Sequence, residues 1–304
     1  MSGTTESLRK KIAGAGDLES VVRSMKALAA SSIGQYEKAV QALDDYYRTV
    51  ELGLAVCLRQ APLSAFAAGG RARDELTIGA VVFGSDQGLV GRFNEVLLEF
   101  AMRTLAKRPG KIHKTWAVGE RIHALMADGD LPQPVLLSVP TSVNAITPLI
   151  GRILIEIEAA RERGEIAEIH LFYNHPKSGA VYEPMSKRLL PLDHIWHSKL
   201  AALPWPTGLL PEAIEGATQA LPAFIREYLF VLLYQACAES LASENASRLA
   251  AMQRAEKNIG EILEELNRRF HRIRQESIDE ELFDVISGYT ALSDASGNLT
   301  GTHA

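Results

Sequence analysis

Residues 249–274 read LAAMQRAEKNIGEILEELNRRFHRIR. Leu249, Met252, Ala255, Ile259, Ile262, Leu266, Phe270 and Ile273 recur there at gaps of three and four, close to the ~3.5-residue repeat of a coiled-coil seam. Charged residues fill the other faces: Arg254, Lys257, Glu261, Glu264, Glu265, Arg268 and Arg269. The stretch sits in a longer segment, 221–292, where beyond Pro222 only Gly260 and Gly288 interrupt good helix formers. As one helix it would run about 105 Å at ~1.5 Å per residue. No compact domain can bury so long and narrow a stripe. The sequence therefore demands an equally elongated partner.

That partner lies at the other end of the chain. All 13 prolines fall between Pro62 and Pro222, which leaves two helical arms around a proline-bearing middle. The first arm reads as one helix over 7–58. Its apolar positions are Val22, Met25, Ala29, Ile33, Tyr36, Val40, Leu43, Tyr47, Val50, Leu54 and Leu58, again in threes and fours. Gly14, Gly16, Gly34 and Gly53 each weaken it by about 1 kcal/mol relative to alanine. Both arms are rooted in the middle domain, so they should run antiparallel, with residue i facing roughly residue 280 − i. Met25 should then lie within about two turns of Arg254.

The middle changes period. Strands are expected at 76–83, 115–118, 135–139 and 168–173, with helices at 93–107, 120–127 and 143–163. A hairpin over 179–190 and a surface connection over 193–222 complete it. Strand–helix alternation implies an α/β domain with a mostly parallel, Rossmann-like sheet covered on both faces. The expected organisation is an N-terminal coiled-coil helix (1–61), a central α/β domain (75–205) and a C-terminal coiled-coil helix (222–304).

Composition excludes several classes. The chain has 304 residues, 47% hydrophobic and 23% charged, with a net charge of −5; a general nucleic-acid binder carries a basic excess instead. The longest apolar run, 228–238, falls short of the ~18 residues of a membrane span, and the N-terminus lacks the pattern of a signal peptide. Cys57 and Cys237 occupy apolar helical positions and read as buried free thiols, which suits a reducing cytoplasm. The glycines at Gly84, Gly88 and Gly91 fit neither G-x-G-x-x-G nor G-x-x-x-x-G-K-[ST], so they read as a tight strand-to-helix turn. His194 and His197 have no further ligands in sequence to complete a metal set. No nucleophile, base and acid group together, and no cofactor is implied. The basic residues of the arms read as solvated faces or as contacts to acidic loops of a surrounding protein.

Four motifs carry a family resemblance. Residues 23–31, RSMKALAAS, are similar to K-A-M-x-M-V-A-A-S, and residues 85–94, SDQGLVGRFN, resemble S-D-R-G-L-C-G-G-L-N. Residues 247–252, SRLAAM, resemble A-R-M-V-A-M; Arg274-Gln275-x-x-Ile278 with residues 285–288, VISG, resemble A-R-Q-x-x-I…I-V-S-G. These patterns belong to the gamma subunit, the central rotor stalk, of F-type ATP synthases. The resemblance implies a non-catalytic rotor inside a hexamer of alpha and beta subunits, also meeting an epsilon subunit and the membrane c-ring. Its place would be the cytoplasmic face of a bacterial membrane, as a peripheral component. It assigns subunit contact or torque transfer to Met25, Lys26, Arg248, Arg274 and Gln275. The family's K-N-A-T-D-N becomes residues 253–258, QRAEKN, and the basic residue after A-A-S becomes Ser32. Such departures look most like the alternative bacterial F-type ATPases thought to move sodium. The competing reading is a nucleotide-dependent enzyme built on the middle domain and dimerised by its arms. Lastly, the second arm outruns the first, so residues 276–292 should lack a partner helix within the chain.

Overall fold

The computed structural model describes residues 2–60, 77–129, 131–177, 180–192, 194–207, 211 and 216–297. Helix α1 (Ser2–Gln60) leads to β1 (Thr77–Phe83), α2 (Phe93–Leu105), β2 (Lys111–Val118), α3 (Glu120–Ala127) and β3 (Val135–Leu137). Then follow α4 (Ile146–Glu162), β4 (Glu168–Lys177), β5 (Ala180–Leu190), α5 (His194–Ala201) and α6 (Ala217–Gly297). The chain divides into two compact units, Met1–Ala27 with Met252–Ala304, and Leu28–Ala251; α1 and α6 contribute to both.

The unit Leu28–Ala251 holds a five-stranded sheet in the order β3-β2-β1-β4-β5. β1 to β4 are parallel and β5 is an antiparallel edge that returns along β4. The alternation of β1 sorts its side chains between two cores. Val81 and Phe83 join Trp116, Val118 and Leu171 beneath α4 (Ile146, Ile150, Ile153, Ile157), together with Leu54 and Cys57 of α1 and Leu233, Ala236 and Leu241 of α6. Ile78, Ala80 and Val82 face the other way onto Leu97 and Ala101 of α2 and Ile122 and Met126 of α3. One 18-residue window of α6 is apolar enough by composition to pass for a membrane span. Its composition has a local explanation: Leu229, Val231, Leu232, Leu233, Ala236 and Ala238 are buried in the protein. Cys57 and Cys237 are free and buried, and burial raises both thiols above their ordinary pKa.

Several boundaries differ from expectation, β4 for one running on to Lys177 instead of ending at 173, and three of the differences have a clear cause. β2 begins at Lys111, not at 115, because its first residues alternate exposed and half-buried at the sheet end where apolar pattern is silent. The helix expected from 143 starts as a 3₁₀ turn, Val143–Ala145, before α4. The connection 193–222 contains α5, and α6 begins at Ala217, so Pro222 lies inside the helix. Proline there removes one intrahelical hydrogen bond, offset by burial of Ala217 and Leu221.

In the unit Met1–Ala27 with Met252–Ala304 the two helices pair antiparallel. Lys26 Nζ reaches Glu256 Oε2 at 2.6 Å, and the Arg9 guanidinium sits 5.4 Å over the Phe270 ring. The residue numbers of these pairs add to within two of the expected 280. Val22, Met252 and Ile259 are buried. One seam residue is corrected. Ile262 is 53% exposed, while Leu263 is half-buried with Leu266, Phe270 and Ile273. Both positions satisfy a three-or-four spacing, and only the partner helix fixes which one the seam takes.

Candidate partner-contact surfaces

The loop 85–94 closes on itself. The backbone N–H of Ser85 donates to Asn94 Oδ1 (3.0 Å), and Asn94 Nδ2 donates to Ser85 Oγ (2.8 Å). Asp86 accepts from the N–H of Glu120 at the start of α3 (3.0 Å) and from the N–H of Val139 after β3 (3.2 Å). Its carboxylate thus ties together the carboxyl ends of β1, β2 and β3. Gly119 (φ 121°) lets this happen, since a Cβ there would stand 2.6 Å from the Ser85 carbonyl oxygen. Leu89 holds φ 63° with its side chain 60% exposed.

An open parallel sheet binds ligands outside the strand carboxyl ends where strand order reverses, here between β1 and β4. In this chain α6 fills that crevice. Ser240 Oγ donates to the Phe83 carbonyl (3.1 Å), Ser243 Oγ to the Asn174 carbonyl (3.1 Å) and Ser247 Oγ to the Val90 carbonyl (2.5 Å). Asn174 Nδ2 in turn donates to the Phe93 carbonyl (3.2 Å). The carbonyls at these strand ends are therefore bonded to the protein's own helix, which occupies the place a ligand would take. This arrangement opposes the enzyme reading.

The residues assigned by resemblance occupy different settings. Met25 is a half-buried seam residue. Lys26 is also half-buried, and with Arg23 (3.6 Å) it clamps Glu256 of the opposite helix. The hydrogen bond from Lys26, then the nearby cationic charge, holds the Glu256 carboxyl below its ordinary pKa. Arg248 belongs to the other unit. It pairs with Glu244 at 2.6 Å, both side chains nearly buried. Burial raises the Glu244 pKa, and the attraction of Arg248 only partly offsets that. Arg274 and Gln275 are exposed on α6. Lys26 and Glu256 are thus brought together, whereas Arg274 and Gln275 stand apart from that pair along the helix. Sequence reading passed over Glu256, Asp86 as a tie, and the three serines. Asp86 left a signal as part of the motif at 85–94, and the serines left one as an i, i+3, i+7 spacing on one helix face.

Residues 278–290 of α6 are exposed without interruption. Among them are Ile278, Leu282, Phe283, Val285, Ile286 and Tyr289, each at least 51% exposed. α1 has 59 residues and α6 has 81, so the length difference read from sequence is present.

Comparison with known proteins accords with this architecture. The ATP synthase family matches residues 4–292. The ATP synthase gamma chain of Polynucleobacter asymbioticus is 26% identical over 306 residues, covering 95% of this chain and 99% of its own. The gamma chain of Arthrobacter sp. is 28% identical, covering 94% and 97%. A chain of the Euglena gracilis mitochondrial ATP synthase rotor shares the fold with a TM-score of 0.63 at 16% identity, covering 91% of this chain and all of that one. By motif order, fold and near-complete coverage, the chain belongs to the ATP synthase gamma-chain family.

Proposed function

We propose that this chain is the central rotor stalk of a membrane-bound F-type ATP synthase, a non-catalytic subunit that couples rotation of a membrane ring to ATP synthesis or hydrolysis on surrounding alpha and beta subunits. The observation that carries this reading is the pairing of two very long helices with an α/β domain whose ligand crevice is filled by one of them. A shaft needs axial stiffness, which continuous helices joined by a seam supply. It also needs faces that differ, so that three catalytic sites are held in different states. The clamp at Glu256, the acidic run 276–284 and the apolar exposed tip supply that asymmetry.

The epsilon subunit and c-ring are further partners in this proposal, and the place of action is the cytoplasmic face of a bacterial membrane. Met25, Lys26, Arg248, Arg274 and Gln275 are proposed to act where the rotor meets the catalytic subunits, directly or by holding the helix pair there. Purification from the native membrane tests the reading: one copy should co-purify with six larger chains. A symmetric dimer that binds nucleotide alone overturns it in favour of the enzyme.

A further inference from the structure

We infer that Ser240, Ser243 and Ser247 form a register lock that fixes α6 in rotation and translation on the α/β domain, making them the positioning residues through which twist passes between helix and domain. The inference rests on the rotor reading. The three serines share one face at spacings of three and four and are 2%, 0% and 7% exposed. Their acceptors come from three separate segments: the end of β1, β4, and the loop after β1.

The direction of donation is informative. A helical serine or threonine can return its hydroxyl to the carbonyl four residues back, and Ser24 and Thr49 do so here. The three serines of α6 instead donate across to the domain. Alanine would favour the helix more, so helix formation does not explain them. Nor does burial call for a hydroxyl, because neighbouring buried positions of α6 such as Ala236, Ala238, Leu241 and Ala242 are apolar. Hydrogen bonds weaken steeply with angle, and a turn of α6 by one residue, about 100°, would break all three. Glu239 adds a fourth tie, with its carboxylate 2.8 Å from His175 Nδ1 of β4.

The test is a triple Ser→Ala variant in the assembled complex, with Ser243 restored alone as a second variant. Alanine adds helix propensity but leaves three carbonyls without their α6 donors, so assembly is measured first, and the variant with Ser243 restored keeps the test readable if the triple variant assembles poorly. ATP hydrolysis by the detached catalytic part should stay near wild type, while ions pumped per ATP by the whole complex fall and partly recover when Ser243 returns. In the full chain alone, amides of residues 84–91 should exchange faster by about fivefold for each of the Ser240 and Ser247 hydroxyls removed. An unchanged ion-to-ATP ratio in fully assembled complexes overturns the lock, as does a loss of assembly or melting temperature with that ratio intact. If the wild-type chain enters no such complex, the rotor reading fails, and unchanged amide exchange then decides against the lock separately.

Discussion

At the scale of single residues, the α/β domain depends on a few close approaches that no substitution table reveals. Gly119 takes a left-handed backbone so that Ser85 can pass within contact distance. Gly119→Ala is expected to destabilise the chain by about 2–4 kcal/mol, combining strained φ with a clash against backbone. Denaturant midpoints would check this, and a loss below about 0.5 kcal/mol would refute it. Gly53 is a similar case in a helix: a Cβ there would meet the Phe224 ring at 2.3 Å, so its flexibility penalty is accepted for close packing. Tyr46 offers a pH signature. Its hydroxyl donates to Glu227 at 2.6 Å, which pushes the phenol up to about 12. A folded pKa above the unfolded value of about 10 means the contribution is complete below pH 10 and disappears as pH rises through 12. Tyr46→Phe should therefore flatten the stability profile between pH 10 and 12. At neutral pH it should change stability by less than about 1 kcal/mol, since the pair is exposed.

At the scale of elements, the seam phase makes a sharp comparison. Leu263→Ala should cost about 1–2 kcal/mol for a half-buried leucine, and Ile262→Ala should stay within about 0.5 kcal/mol. Thermal unfolding of the two variants decides it; the reverse order would place the seam wrongly. Met25 lies in the same helix pair, one residue before the clamp on Glu256. Met25→Lys brings a second ammonium beside that clamp and a charge into a half-buried seam. We expect assembled complex at near-normal levels but weakened coupling of ATP hydrolysis to ion transport. Lost assembly with intact coupling in the surviving complexes would leave Met25 a packing residue only.

At the scale of the whole molecule, α6 extends some 20 residues beyond the reach of α1, and residues 278–290 are exposed. Isolated helix of that length is marginal in water, and Glu276, Asp279, Glu280, Glu281 and Asp284 oppose the dipole near its C-terminal end. Removing residues 276–304 should leave the chain's unfolding free energy within about 0.5 kcal/mol, because residues 278–290 are exposed. Its retention in the complex should weaken, and amide exchange beyond Gln275 should be fast when free and slow once assembled. Strong protection in the free chain would show that something within the chain covers the tip. Much of this molecule was legible in sequence. The proline partition marked the arms, equal rise per residue set their pairing, and strand–helix alternation announced a mostly parallel sheet. These are local regularities, since helix rise and side-chain period follow from the backbone alone. What tertiary structure decided was which of two permitted neighbours each side chain takes. Leu263 and not Ile262 is the half-buried one, because the spacing allows either and only packing against another helix chooses between them. Ser240, Ser243 and Ser247 occupy the sheet's ligand crevice because α6 crosses the strand ends at that point. Periodicity names the residues that share a face; only the packed chain says what that face meets.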